Sequence, residues 1–281
     1  MSEFLLELFS EEIPARMQAD AAAELELRIT EALKKNELPY ETARSFVTAR
    51  RLVLTVSGLP EAQADISEER KGPSVSAPEQ ALNGFLRSVG MQKDQLEVRD
   101  TPKGQFYFAT LSKKGRPTSE VLKEAVETLL HSFPWPKSMR WASHPERWVR
   151  PMHGILCLFA GRVVPVEFAG LTAGNKTRGH RFLAPAEFEV RDFADYEQKL
   201  RAAYVIIDSE ERKRIISEDA HALAHKAGLV LHEDEGLLNE VAGLAEWPVP
   251  LMGKIDDEFM GVPKEVLMTS MREHQKYFSL L

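Results

Sequence analysis

Eight cations crowd into one stretch of an acidic chain. Residues 137–181 hold Lys137, Arg140, Arg147, Arg150, Arg162, Lys176, Arg178 and Arg181 against only Glu146 and Glu167, while the 281 residues together carry a formal net charge of −7. Flat rings sit beside these cations, in Lys137-Ser-Met-Arg140-Trp141, Arg147-Trp148-Val-Arg150-Pro-Met-His153 and Arg178-Gly-His180-Arg181-Phe182. Guanidinium and ammonium groups grip phosphates, and rings offer stacking surfaces to unpaired bases. The chemistry expected from this pattern is therefore RNA binding through a local footprint. A protein that coats nucleic acid indiscriminately would be basic throughout, so a basic patch on an acidic body suggests docking of one specific partner. The competing reading is a solvated basic face whose cations pair with the chain's many carboxylates.

Other groupings point less clearly to chemistry. His221 and His225 stand four apart on an expected helix and share a face, but no Cys pair or His-Glu-x-x-His supplies the further ligands that zinc needs, so no metal site is expected. His232-Glu-Asp-Glu235 reads more simply as the first turn of a helix, where carboxylates favour the dipole. Glu11 and Glu12 could act as acid and base, although a capped first turn after Ser10 is the favoured reading. Cys157 is the only cysteine; within an apolar run it reads as a small buried hydrophobe, and it excludes an internal disulfide. Neither a phosphate-binding Gly-x-x-x-x-Gly-Lys-Ser/Thr loop, nor a Gly-x-Gly-x-x-Gly turn, nor a Gly-x-Ser-x-Gly elbow occurs. No residue is singled out as catalytic.

The composition, 43% apolar and 28% charged, is that of a globular protein with one large or two ordinary domains. No run of about eighteen apolar residues occurs, and the first residues lack the basic start and cleavage site of a signal peptide, so a cytoplasmic setting without a membrane partner is expected.

The positioning elements follow from periodicity. Residues 4–9 read as a strand, 17–35 as a helix with Ala22, Leu25, Ile29 and Ala32 on one stripe, and 44–49 and 52–58 as strands with Arg50 and Arg51 at their junction. Residues 60–78 read as a polar loop. A helix then runs to Gly90, a strand covers 105–111 and a helix 119–131. Residues 155–159 and 163–168 read as antiparallel partners. Asp208 with Glu211 opens a helix to about Ala227, followed by strand 229–231, helix 235–245 and strand 248–252. Pro263 opens a last helix, on which Arg272 and Lys276 share a face and Val266, Leu267 and Met271 point inward. The final residues, 277–281, read as the start of a strand with no loose polar terminus, which suggests a fragment of a longer chain. The expected class is α+β, with mixed or antiparallel sheets and packed helices. Three regions are drawn: a β-α-β-β unit at 1–60, an α+β region with the basic segment at 61–190, and an α/β region at 191–281 that is truncated at its C-terminal end.

Several of these stretches resemble the beta subunit of bacterial tetrameric glycyl-tRNA synthetase. They are Ser10-Glu-Glu-Ile-Pro14, Thr48-Ala-Arg-Arg-Leu52, the three basic motifs, Glu246-Trp-Pro-Val249 and the sixteen residues from Pro263 to Phe278, in the family's order. Departures are small: Ser10 and Ile13 stand where the family usually has Thr and Leu, and Gly154 where an aromatic residue is usual. The resemblance implies the N-terminal part of a much longer subunit, with part of it similar to the B3/B4 domain of the phenylalanyl enzyme's beta chain. It implies partners, the alpha subunit and glycine tRNA, and no DNA. It places the chemistry on the alpha subunit, so that ATP and magnesium serve the whole enzyme and no cofactor belongs to this stretch. Candidate RNA or partner contacts are Arg50, Arg51, Lys137, Arg140, Trp141, Arg147, Arg150, Arg178, His180, Arg181, Arg272 and Lys276. A scaffold that binds protein without touching RNA is the alternative.

Overall fold

A computed structural model describes residues 2–281. Two compact units form: one from the residues up to Glu61 together with Ser119–Leu281, the other from Ala62–Thr118. The class is α+β, with antiparallel strand pairing in every sheet and seven α-helices among the described residues.

The larger unit is built on a five-stranded sheet. β1 (Ser2–Ser10) lies at its centre, followed in sequence by α1 (Ala15–Lys35), β2 (Thr42–Val47) and β3 (Arg51–Leu59). In the smaller unit, β4 (Ile66–Ser74), α2 (Glu79–Val89), β5 (Glu97–Thr101) and β6 (Gly104–Lys113) follow. α3 (Thr118–Ser132) then leads back to β7 (Met152–Phe159) and β8 (Arg162–Val163), which complete the sheet in the order β2-β3-β1-β7-β8. β7 turns into β8 across Ala160 and Gly161, whose φ values of 51° and 72° are the left-handed pair that a tight hairpin requires.

Helices cover both faces of this sheet, so β1 reads as a nearly unbroken apolar run. One face presents Phe4, Leu6, Leu8, Leu52, Leu54 and Val56 to the stripe Met17, Ala21, Leu25, Ile29 and Leu33 of α1 and to Val121, Leu122, Val126 and Leu129 of α3. The other face carries Leu5, Val53 and Leu158 and packs against Tyr196 and Leu200 of α4 (Phe193–Ala202), with Val205 and Ile207 after it. Between these elements lie the short pairs β9 (Glu167–Phe168) with β10 (Leu171–Thr172), and β11 (Lys176–Arg178) with β12 (Glu187–Glu189).

α5 (Ser209–Lys226) starts at Asp208, whose carboxylate accepts from the backbone N–H of Glu210 and Glu211. Asp234 caps α6 (Glu235–Leu244) in the same way. α7 (Lys264–Ser270) ends in one π-turn, Met271–Gln275. In the smaller unit the strand order is β4-β6-β5. There Gly90 takes a left-handed φ of 65° as the C-cap of α2.

Several sequence expectations are corrected. The supposed loop 60–78 contains β4, a nine-residue strand. The apolar run 248–252 forms no strand, and Leu251 is 88% exposed. Residues 229–231 make only an isolated bridge, Leu231 to Leu280. The span 163–168 is split between β8 and β9, because the chain turns at Pro165, where the Val166 N–H donates to the Val164 carbonyl at 2.8 Å. Val266 is 57% exposed rather than inward. Among the described residues no helix is long and apolar enough to cross a membrane.

Candidate nucleic-acid or partner interface

Arg51 organises the site from inside. It opens β3 at 0% exposure, and on the α4 face of the sheet it stands diagonal to Glu7 of β1, since Phe9 is the residue paired with Arg51. Its Nη1 donates to Glu7 Oε2 at 3.0 Å and to Thr177 Oγ1 at 3.2 Å. Its Nε donates to Glu246 Oε1 at 3.0 Å, and its Nη2 reaches the carbonyl oxygens of Arg178 at 2.8 Å and Gly179 at 3.2 Å. Around it, Thr48 donates to Glu246 at 2.6 Å, Tyr196 to Glu7 at 2.5 Å, and Thr177 to Glu7. Burial works against the Arg51 charge, but Glu246 and Glu7 outweigh it and hold the guanidinium pKa above its ordinary value. The Tyr196 hydroxyl is pushed well up by burial and by Glu7. Buried charges persist only when paired and hydrogen-bonded, and every donor nitrogen of Arg51 is engaged within the chain.

The node joins five of the motifs, because Glu246 belongs to the Glu246–Val249 stretch. The backbone completes the convergence: Ser10 donates to the Arg50 carbonyl at 2.9 Å, Glu11 to Pro151 at 2.9 Å and Ile13 to Ala49 at 2.6 Å. Glu11 and Glu12 therefore do not form a capped helical turn; Pro14 precedes the first helical residue, and the Ser10 hydroxyl donates to the Glu11 carbonyl instead of accepting as a cap. Glu11 instead becomes an ionic hub. It meets His153 Nε2 at 2.7 Å, Arg181 Nη2 at 3.2 Å and Arg50 Nη2 at 3.6 Å, while Glu12 lies 3.5 Å from Arg181. Burial alone would raise the Glu11 carboxyl, but the His153 hydrogen bond and the Arg50 and Arg181 charges bring it below its ordinary value. Arg50 lies 4.6 Å over the Phe9 ring, and its buried Nε has no partner.

The Arg178-Gly-His-Arg-Phe segment is a braced loop. Besides the two Arg51 bonds, His180 N–H donates to Ala203 O at 2.9 Å, and Ala184 N–H to His180 O at 3.0 Å. His180 Nδ1 accepts from the N–H groups of Phe182 and Leu183 at 3.3 and 3.2 Å. Gly179 is required by close approach: a Cβ there would lie 2.4 Å from the Ala184 carbonyl oxygen and 2.6 Å from Ala203 Cβ. Outward from this brace stand Arg178, 3.8 Å from Glu187 and 60% exposed, Arg181, and Phe182, 80% exposed with the Arg181 guanidinium 5.8 Å from its ring centre.

The structure thus gathers Arg50, Arg51, Arg178, His180 and Arg181, together with His153 of the second basic motif, which was not among the candidate contacts. Arg51 is inside and offers nothing to a partner. The remaining candidates lie elsewhere. Lys137 and Arg140 are exposed and make no ion pair among the described residues. The stretch 147–153 is not helical: Arg147 bonds the Ser138 hydroxyl and carbonyl at 3.1 and 2.7 Å, and Arg150 the Val149 carbonyl at 2.7 Å. Two rings of the basic motifs are not free platforms, since Trp148 is 1% exposed and Trp141 packs on the same core. Arg272 pairs with Asp234 at 2.5 Å and Lys276 with Glu240 at 3.0 Å, so both bind carboxylates beside or within α6. His221 meets Glu233 at 3.2 Å, and among the described residues no three His, Cys, Asp or Glu side chains gather as metal ligands do.

Cation counting missed Glu7, Glu246, Tyr196 and Thr177. The signal was available in part: Glu7 interrupts the otherwise apolar run 4–9, and a carboxylate in a strand covered on both faces demands a cation nearby.

Comparison with known proteins gives a consistent answer. The family model described as glycyl-tRNA synthetase beta subunit matches residues 4–281. A glycine–tRNA ligase beta subunit of Ruegeria sp. (strain TM1040) is 54% identical over 100% of this chain and 41% of its own length. Those of Dinoroseobacter shibae and Paracoccus denitrificans are 55% and 53% identical, over 39% and 41% of their lengths. The chain spans about two-fifths of the length of these curated relatives. A match over nearly all its residues establishes that the chain belongs to the glycyl-tRNA synthetase beta subunit family.

Proposed function

We propose that this chain is the N-terminal part of a glycine–tRNA ligase beta subunit, and that it supports ATP-dependent attachment of glycine to tRNA by holding the tRNA and docking the alpha subunit. The amino-acid activation step belongs to the alpha subunit, and no residue of this chain is assigned a catalytic role. The observation that carries the reading is the convergence of the motifs at residues 10–14, 48–52, 147–153 and 178–182 on one node, with Arg178 and Phe182 outward on a braced loop. Phosphates take the place of Glu11, Glu12 and Glu187 as partners of these cations when RNA binds. The working place is the cytoplasm. The α+β class supports a correspondence of part of this fold to the B3/B4 domain of the phenylalanyl enzyme's beta chain.

The test is titration of the assembled ligase with glycine tRNA across salt concentrations. Replacing Arg178 and Arg181 by Ala should weaken binding and reduce the slope of log K against log salt by about one per lost phosphate contact. An unchanged slope removes both residues from the interface.

A second reading, a protein-binding scaffold without RNA contact, is favoured by the exposed apolar residues Val249, Leu251, Met260 and Val266. On that reading alpha-subunit affinity depends weakly on salt and tRNA does not compete for the surface.

A further inference from the structure

We infer that Phe182 and Arg178 form a subsite for one unpaired nucleotide, the base stacked on the ring and its phosphate on the guanidinium. The inference rests on the tRNA-binding reading above and names which part of an RNA this loop takes. A phenylalanine at 80% exposure is costly to leave in water, and among the described residues nothing covers it. It is also not on a loose loop. Two carbonyls of the segment are held by a fully buried arginine, the His180 ring accepts the N–H groups of Phe182 and Leu183, and Gly179 is packed to within backbone contact of Ala184 and Ala203. A rigid ring pays little entropy when a flat partner settles on it.

Charge selects the kind of partner. Lys176, Arg178, His180 and Arg181 lie within seven residues of Phe182, and the Arg181 guanidinium is already 5.8 Å from the ring centre. Arg181 holds Glu11 and Glu12 at 3.2 and 3.5 Å, so Arg178 is the freer of the two cations. Arg178 touches its carboxylate only at 3.8 Å and is 60% exposed, which leaves its donors open to a new acceptor. A ring for a π-face on the same braced segment as a cation with free donors matches a single-stranded nucleotide; inside a duplex both faces of each base are already stacked.

The experiment uses the assembled ligase and glycine tRNA carrying 2-aminopurine at one unpaired position at a time. Phe182→Ala should weaken tRNA binding about tenfold and abolish the fluorescence quenching seen at one of these positions. Phe182→Trp should restore both and Phe182→Leu neither. Arg178→Ala should lower the salt slope by about one. Because the ring is exposed, these variants should unfold with the wild-type profile. Wild-type affinity and quenching in Phe182→Ala, with the slope still reduced in Arg178→Ala, would overturn the stacking subsite and leave the tRNA-binding reading standing. Loss of alpha-subunit affinity instead of tRNA affinity in Phe182→Ala would make the ring a protein contact and overturn the inference. If Arg178→Ala, Arg181→Ala and Phe182→Ala all bind tRNA as the wild type does, both the subsite and the reading beneath it fail.

Discussion

Replacing Arg51 by Met keeps most of the buried stem and removes only the guanidinium. Two carboxylates then lose their cation: Glu7 at 1% and Glu246 at 5% exposure, with the Thr177 hydroxyl and the Arg178 and Gly179 carbonyls also losing a donor. Removing one partner of a buried ion pair costs about 3–5 kcal/mol. One guanidinium here serves two acids, so the loss should fall in the upper part of that range, about 4–5 kcal/mol. Against a total stability of roughly 5–15 kcal/mol, the variant would fold marginally. Urea unfolding followed by tryptophan fluorescence is the suitable assay, because Trp135, Trp141, Trp148 and Trp247 all lie in the larger unit. A shift of the midpoint equivalent to less than about 1 kcal/mol would refute the reasoning. The double variant with Glu7→Gln sharpens the test. A neutral amide needs no cation, so the second substitution should cost at least about 1 kcal/mol less in the Arg51→Met background than alone. Strictly additive losses would mean that the guanidinium contributes through Glu246 and the Arg178 and Gly179 carbonyls, and not through Glu7.

Three further outcomes are expected. Gly179→Ala should destabilise by about 1–3 kcal/mol and shift the 178–183 loop, because its Cβ meets backbone at 2.4 Å; amide exchange of Phe182 and Leu183 would report the loosening. Glu11 has a folded pKa below its unfolded value, so its ion pairs stabilise fully above the ordinary carboxylate range and are lost as pH falls through the depressed value. Glu11→Gln should therefore flatten the acid limb of the stability profile, at a cost of no more than about 1 kcal/mol at pH 7, because its partners are partly solvated. Burial pushes the Cys157 thiol well up, so a thiol reagent should leave the native chain unmodified and label one site in urea; rapid native labelling would contradict the packing of β7.

The elements legible in the sequence were those whose side chains record their burial. α1 carries its apolar stripe and α5 its Asp208 cap, and both stand close to where periodicity and capping put them. The misreadings at 60–78 and 248–252 share one cause. β4, Ile-Ser-Glu-Glu-Arg-Lys-Gly-Pro-Ser, holds four charged residues and lacks the apolar alternation of a half-buried strand; it pairs through its backbone with β6. Leu251 and Met252 have strand-like side chains but no partner strand, so hydrophobicity alone did not make them extended structure. α4 gave no clear signal, because a ten-residue helix with three apolar anchors and alternating charges resembles a loop until the sheet face that it covers is known.

The same limit applies to the site. Arg50 and Arg51 are adjacent and chemically identical, yet one reaches the Glu11 hub near the surface while the other is sealed among acids. What separates them is strand register. Arg51 is the first residue of β3 and points to the face that holds Glu7 and Tyr196; Arg50 lies one position earlier, outside the strand. A shift of one residue in that register would exchange their roles. The outward chemistry of Arg178, Arg181 and Phe182 thus depends on an inward contact, since the Arg51 bonds to the carbonyls of Arg178 and Gly179 fix the loop that presents them. Substitutions at the node should therefore alter partner binding without touching any partner. A conservative exchange such as Arg51→Lys separates the two effects: an ammonium can keep one acid paired, but it cannot also reach two carbonyls in the guanidinium's planar geometry. If Arg51→Lys retains most of the stability and yet loses the same tRNA or alpha-subunit affinity as Arg178→Ala, the node acts by positioning the loop. If affinity and stability fall in step, it acts only as part of the core.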